Sequence, residues 1–207
     1  MRLLPAGSHG LLVELPSLER VHALYARLVA DPPPGVLDVV PAARTVLLAL
    51  TPDADRATVV SAVRTAAAAG SGVPREVPDG DPVEIPVRYD GPDLDAAAGL
   101  LGWTVDELVT RHQAEEWMVA FCGFAPGFGY LTGRQFDWDV PRRERPRVRV
   151  PAGAVALAGG YAGVYPRESP GGWQVIGSSG VRLVDLDRDP PSLLRPGVRV
   201  RFTAEAT

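Results

Sequence analysis

Two stretches of this chain hold its most reactive mixture of side chains: Phe121-Cys-Gly-Phe-Ala-Pro-Gly-Phe-Gly-Tyr-Leu131 and Tyr165-Pro-Arg-Glu-Ser-Pro-Gly-Gly-Trp-Gln174. Each sets glycine and proline between large aromatic rings. Glycine lets a backbone turn or approach a neighbour closely, while proline fixes φ and removes a donor. Rings in such irregular segments need a pocket to fill or a partner to cover them. Loops of this kind on a rigid β scaffold carry binding surfaces or contacts between subunits, and a purely structural corner is the other reading.

The polar residues near these loops offer several chemistries. Glu168 can act as a base or accept from a donor, and Ser169 can cap a turn or donate to an oxyanion. No Gly-x-Ser-x-Gly elbow is present, so a serine hydrolase has no support. His112 is suited to proton transfer or to donating to an anion, or else it is a buried histidine bonded to a backbone carbonyl. Arg134, Arg142, Arg143, Arg145, Arg147 and Arg149 form a run whose guanidinium forks bind carboxylate or phosphate at two points. Arg145, Arg147 and Arg149 alternate with Pro146, Val148 and Val150, as on a strand with one solvated face. Arg142 and Arg143, beside Pro141, are the better anion ligands. Cys122 reads as packing, because no base stands beside it. The segment Gly177-Ser-Ser-Gly180 reads as a hairpin turn, since no lysine and no helix follow to make a phosphate cradle. His9, His22 and His112 share no ligand spacing, and Asp185, Asp187 and Asp189 lack that of a calcium loop, so no metal site is expected.

Composition narrows the field. The chain has 207 residues, enough for one large domain or two small ones. A hydrophobic share of 46% and a charged share of 22% are those of an ordinary soluble globular protein. A net charge of −4 argues against nucleic acid, which wants a basic face. Every basic residue is arginine; without lysine there is no Schiff base and no Walker-type phosphate lysine. The single cysteine excludes an internal disulfide and a thiolate cluster. No apolar run reaches the roughly 18 residues of a membrane span. The opening Met-Arg-Leu-Leu-Pro-Ala-Gly-Ser-His lacks a signal-peptide h-region, so the expected location is the cytoplasm.

The elements that must position these groups follow in order. Leu11–Leu15 reads as a strand, and Ser17 caps a helix with Leu18, Val21, Leu24, Tyr25 and Leu28 at the 3.6-residue period. Val36–Val40 and Thr45–Leu50 make a hairpin around Pro41-Ala-Ala-Arg44, followed by a helix over Ala54–Ala69. A further strand lies in Val73–Val77 or Val83–Val87, which gives the β-α-β-β-α-β order of a ferredoxin-like unit. Punctuation at Val77–Pro82 places a division, with domains over residues 1–80 and 81–207. A short helix spans Asp93–Leu101. Thr104 and Glu107 then form a capping box for a second helix, whose inner face carries Val105, Leu108, Val109 and His112. Beyond a strand at Trp117–Cys122, short alternating runs follow: Arg147–Val150, Ala154–Leu157, Trp173–Ile176, Val181–Val184 and Val198–Phe202. They predict a closed or sandwiched β domain and, for the whole chain, an α+β class.

Several of these segments together resemble one family. Phe124-Ala-Pro-Gly-Phe-Gly-Tyr-Leu131, Pro141-Arg142, Val150-Pro-Ala-Gly-Ala-Val155 and Ala158-Gly-Gly160 look like its signatures. So do Gly163-Val-Tyr-Pro166, Glu168-Ser-Pro-Gly-Gly-Trp-Gln174 and Leu194-Arg-Pro-Gly-Val-Arg-Val-Arg-Phe202. Gly10–Glu14, Val39–Pro41 and Val83–Val87 are similar too, so the likeness runs over nearly the whole chain. The family is that of allophanate hydrolase subunit 1, also known as the 5-oxoprolinase B component or the Kip-inhibitor family.

The resemblance implies a ferredoxin-like N-terminal domain followed by a cyclophilin-like β-barrel. It implies a complex with a homologous barrel protein, the C component of 5-oxoprolinase, and with the A component. In that complex ATP hydrolysis drives opening of the 5-oxoproline lactam to glutamate. Carried over by motif, His112, Tyr130, Glu168 and Ser169 are its expected catalytic residues. Arg142, Arg143, Tyr165 and Gln174 are expected to bind substrate. Phe124, Pro126, Gly127, Phe128, Gly171, Gly172 and Trp173 are expected to shape the cleft. Two departures concern the substrate: Gly129 stands where the pattern has proline, and Tyr161-Ala162 where it has Gln-Thr. Relatives also point to inhibition of a histidine kinase or to part of an allophanate or urea amidolyase-type carboxyltransferase, and barrel analogy alone to a prolyl isomerase.

Overall fold

The computed structural model describes residues 1–69, 81–134 and 138–205, and the chain divides into two units, Met1–Val77 and Pro78–Thr207. The expected division at residues 80/81 and the strand option Val73–Val77 fall on residues 70–80 and lie outside the described residues.

In the first unit, strands β1 (Arg2–Pro5), β2 (Gly10–Glu14), β3 (Val36–Pro41) and β4 (Thr45–Leu50) form an antiparallel sheet in the order β1-β2-β4-β3. Helices α1 (Leu18–Ala30) and α2 (Arg56–Ala68) pack on it. Ser17 caps α1 by accepting from the Arg20 N–H, and Asp55 caps α2 by accepting from Ala57 N–H at 3.0 Å. Val21, Leu24 and Leu28 on α1 and Val59 and Val63 on α2 meet the alternate strand residues Leu11, Val13, Val46 and Leu48. Burying each such side chain stabilises the unit by about 1.5–3 kcal/mol.

The strand order differs from the sequence expectation. The fourth place in the sheet belongs to β1, folded back on β2 as a hairpin, and Val83–Val87 joins the other unit instead. Arg2-Leu-Leu-Pro5 is too short to show a period, and its proline fits only an edge, where no ladder donor is required.

The second unit is built from β5 (Val83–Val87), α3 (Leu94–Leu101), α4 (Val105–Ala114), β6 (Trp117–Cys122), β7 (Gly129–Gly133), β8 (Arg147–Val150), β9 (Ala154–Ala158), β10 (Tyr161–Val164), β11 (Ser169–Gly171), β12 (Gln174–Ser178) and β13 (Arg199–Ala204). Seven strands run β12-β9-β10-β7-β6-β13-β5, and β8 with β11 forms a separate ribbon. The two ends of the large sheet meet where Arg88 and Ser178 exchange backbone hydrogen bonds of 2.8 and 2.9 Å, so the barrel is nearly closed. Gly177-Ser-Ser-Gly180 is therefore not a hairpin: Gly177 and Ser178 end β12 and close the barrel. Val181–Val184, expected as a strand, contributes only an isolated bridge from Val184 to Ser192.

Alternation decides which side chains fill the barrel. Val155 and Leu157 of β9, Leu131 of β7, Val119 of β6 and Phe202 of β13 share one core with Leu108 of α4. Thr104 caps α4 by accepting from Glu107 N–H at 3.2 Å, but the box is half-made, because Glu107 turns to Arg111 at 2.7 Å. All five residues of β9 are buried, so both faces of that strand are covered. What covers the outer one is the pair of aromatic loops.

Candidate functional site

The loop between β6 and β7 takes its shape from its residue order. Ala125 N–H donates to Gly123 O at 2.8 Å, closing a three-residue turn around Phe124, whose φ is 68°. Such a φ in a bulky residue costs on the order of 1–3 kcal/mol. Next, Phe128 N–H donates to Ala125 O at 3.0 Å across Pro126 and Gly127, the latter at φ 82°. Proline then glycine at the centre is what a type II turn requires. A Cβ at Gly127 would also collide with Val184. The two turns send Phe128 inward and leave Phe124 57% exposed.

Phe128 lands on the outer face of β9, where Ala154, Ala156 and Ala158 are small enough to take rings. Tyr165 lies edge-on to Phe128 at 5.3 Å and Trp173 at 5.4 Å. Gly163 makes room, since a Cβ there would sit 2.9 Å from the Phe128 ring. Tyr130 stacks on Phe121 at 4.4 Å and meets Trp173 at 5.6 Å and Tyr161 at 5.7 Å. The glycines of the second loop serve the same packing: a Cβ at Gly171 would strike the Tyr165 hydroxyl, and Gly172 O accepts from Arg143 N–H at 2.8 Å. Gln174, buried at the start of β12, donates its amide to Pro141 O at 2.9 Å. The expected wall residues and Tyr130, Tyr165 and Gln174 thus come together, joined by Phe121 and Tyr161.

Burial raises the phenols of Tyr130, Tyr161 and Tyr165 above their ordinary value, while the Arg142 charge pulls Tyr130 and Tyr165 partly back. Arg142 is exposed and lies close enough to both rings to be felt. Neither its guanidinium nor any of the three hydroxyls has a hydrogen-bond or ion-pair partner among the described residues. That is an unusual concentration of unused donors on an otherwise apolar wall.

Other expected residues lie elsewhere or are otherwise engaged. His112 is 0% exposed in the barrel core, stacked on Phe202 at 4.4 Å, with Nδ1 2.9 Å from the Tyr89 hydroxyl. Its backbone carbonyl accepts from Trp117 Nε1 at 2.8 Å, and Nε2 has no partner among the described residues. Burial pushes its pKa down to about 3. Of the two readings the sequence allowed, this is the buried one, with a phenol in place of a carbonyl. Glu168 is exposed and pairs with Arg149 at 2.9 Å, and Ser169 donates to Arg167 O at 3.0 Å. Cys122, half-buried, points its thiol at Leu194 O, and burial raises its pKa.

Arg143 does not face the aromatic loops. It pairs with Asp93, as does Arg147, through hydrogen bonds of 2.6 and 2.8 Å, and Val175 N–H adds a fourth at 2.8 Å. Asp93 is only 2% exposed. Burial alone would raise its carboxyl, but the hydrogen bonds from Arg147 and Val175 and the two arginine charges hold it below the ordinary value. The solvated-face expectation for Arg147 is therefore corrected: it points inward to a buried carboxylate. Asp93, the residue that opens α3, carries no sequence signal beyond its place before a helix. Among the described residues no cluster of histidine, cysteine or carboxylate side chains could hold a metal ion. No helix among them is long and apolar enough to cross a membrane.

A nearly closed barrel with an aromatic outer face, preceded by a four-stranded α+β unit, defines the class as carboxyltransferase-like. The model of the carboxyltransferase domain, subdomain C and D, matches residues 1–194, and the chain belongs to that family. It is 46% identical over 126 residues to the 5-oxoprolinase B component of Escherichia coli O157:H7, covering 59% of this chain and 58% of that protein. It is 43% identical over 123 residues to the protein of the same name in Bacillus subtilis strain 168, covering 58% and 51%. The matches thus span little more than half the length of these curated relatives. Among solved structures, TTHA0988 superposes with a TM-score of 0.77 at 37% identity, over 96% of this chain and 40% of that one. PH0987 from Pyrococcus horikoshii does so at 0.57 and 34%, over 99% and 97%. The K. lactis urea amidolyase, at 16% identity and a TM-score of 0.75 over 99% of this chain and 15% of its own, shares the fold.

Proposed function

We propose that this chain is the B component of an ATP-dependent 5-oxoprolinase and that its tyrosine-rich outer face is one wall of a cleft completed by a homologous barrel protein, the C component. A third protein, the A component, completes the enzyme. The names of its relatives support this reading. The observation that carries it is a set of donors, Tyr130, Tyr161, Tyr165 and Arg142, without partners among the described residues, on an aromatic wall where none of those residues pairs a nucleophile with a base. Such a face can hold and polarise a substrate but has no means to break an amide alone.

Opening a lactam requires water to add to the carbonyl carbon, the C–N bond to break, and the nitrogen to take a proton. Amide resonance opposes every one of these changes. ATP, assigned to the assembled complex and not to this chain, would supply a phosphoryl group to the amide oxygen; after water adds, C–N cleavage with protonation of the nitrogen leaves an acyl phosphate, whose hydrolysis gives the carboxylate and releases phosphate. The task left to this chain is placement: Tyr130 and Trp173 flank the ring, and phenol hydroxyls hold the substrate by donating to its oxygens.

The test is co-expression with the A and C components. The complete set should convert 5-oxoproline to glutamate with one phosphate released per turnover, and this chain alone should not. A complete, assembled set that makes no glutamate overturns the proposal.

A further inference from the structure

We propose that Arg142, together with the hydroxyl of Tyr130, binds the carboxylate of a small cyclic substrate; this rests on the reading above and names the part of the substrate that this chain holds.

Of the four arginines between residues 142 and 147, three have fates that bear on this site. Arg143 and Arg147 are committed to Asp93, whose oxygens accept four hydrogen bonds in all. Arg142 has no carboxylate partner among the described residues. Its backbone is nevertheless fixed on both sides. Val140 and Gly159 exchange hydrogen bonds of 3.2 and 2.7 Å, Gln174 holds Pro141 O at 2.9 Å, and Gly172 O holds Arg143 N–H at 2.8 Å. Gly172 and Gln174 flank Trp173, the ring that meets Tyr130. The same short segment thus anchors both the aromatic wall and the free cation.

The chemistry of the spot selects its ligand. A guanidinium and a phenol hydroxyl offer donors, and no carboxylate among the described residues bonds to them. A carboxylate takes two parallel hydrogen bonds from the guanidinium fork and a third from a phenol. The adjoining rings of Tyr130 and Trp173 suit the apolar edge of a small ring.

The experiment titrates the full chain with 5-oxoproline, with 2-pyrrolidone, which is the same lactam without the carboxylate, and with inorganic phosphate. Tyrosine and tryptophan fluorescence and amide chemical shifts report binding. Expected is a saturable response to 5-oxoproline, weakened about tenfold or more in Arg142→Gln and partly kept in Arg142→Lys. Because Arg142 is exposed and unpaired, both variants should melt with the wild type. Equal affinity for 2-pyrrolidone, tighter binding of phosphate than of 5-oxoproline, or undiminished binding by Arg142→Gln overturns the proposal. So does the absence of any saturable response at about 50 mM, well past the millimolar range of a weak small-ligand contact; the Arg142 donors would then serve a contact with another protein chain. The two proposals fail separately. If the complete enzyme turns over 5-oxoproline and Arg142→Gln leaves KM unchanged, the carboxylate assignment falls and the function stands. If the chain binds through Arg142 while the assembled set makes no glutamate, the reverse holds.

Discussion

His112 offers a quantitative check on where the structure puts it. The imidazole is stacked on Phe202 and tilted against Trp117, with the Tyr89 hydroxyl as its one hydrogen-bond partner among the described residues, and burial lowers its pKa from 6.5 to about 3. The folded protein therefore keeps this histidine neutral while the unfolded chain protonates it below pH 6.5. Since the folded value is depressed, the unfolded state binds more protons throughout that window. The group's contribution to stability is intact above pH 6.5 and is lost progressively as pH falls towards 3. At 1.36 kcal/mol per pKa unit, a drop to pH 4.5 covers two units and costs about 2.7 kcal/mol. That figure requires only that the folded pKa lie below 4.5. His112→Phe keeps the stacking on Phe202 and removes the titration. It also strands the Tyr89 hydroxyl, a cost that does not change with pH in this range because burial raises that phenol. Urea unfolding at pH 7.5 and 4.5 should show the wild type losing about 2.7 kcal/mol more than the variant. Parallel losses would mean that His112 is solvated or charged in the folded state, and its assignment to the core would be wrong.

Two further outcomes follow from the packing. Asp93→Asn leaves Arg143 and Arg147 without their buried counter-charge and should destabilise the protein by about 3 kcal/mol or more, measured by urea unfolding at pH 7. The wild-type Asp93 contribution is present above pH 4 and disappears as pH falls through its depressed folded pKa, so the penalty should shrink in acid; a penalty independent of pH would mean the pair is not ionic. Gly171→Ala places a methyl against the Tyr165 hydroxyl and should cost about 1–3 kcal/mol. Adding Tyr165→Phe removes the opposing oxygen and should restore part of that loss, whereas simple additivity in the double variant would show that the two residues do not meet.

That glycine and proline bend two aromatic loops was legible in the sequence; the particular bends were not, and the structure gives Pro126-Gly127 a type II turn and sets the glycines at 163 and 171 where rings or a hydroxyl come close. The alternation of the barrel strands was legible as well, because one face of each is apolar and a period of two can be seen in four or five residues. What could not be read is anything fixed by the outer layer. In β9, Ala-Val-Ala-Leu-Ala presents apolar residues on both faces, and no pattern says that the alanines face a sheath of aromatic rings and not solvent. Arg147 shows the same limit: its alternation with Val148 and Val150 is that of a solvated face, yet the carboxylate that claims it lies 54 residues earlier in the chain. Long-range pairing of this kind leaves no local trace, and it is also what separates Arg142 from its neighbours. The sequence pairs Arg142 with Arg143 as anion ligands and sets Arg147 apart on a solvated face; in the structure a single buried aspartate claims Arg143 and Arg147 and leaves Arg142 without a carboxylate partner among the described residues. On the carboxylate assignment proposed above, selectivity would depend on Asp93 as much as on the residues that touch the ligand.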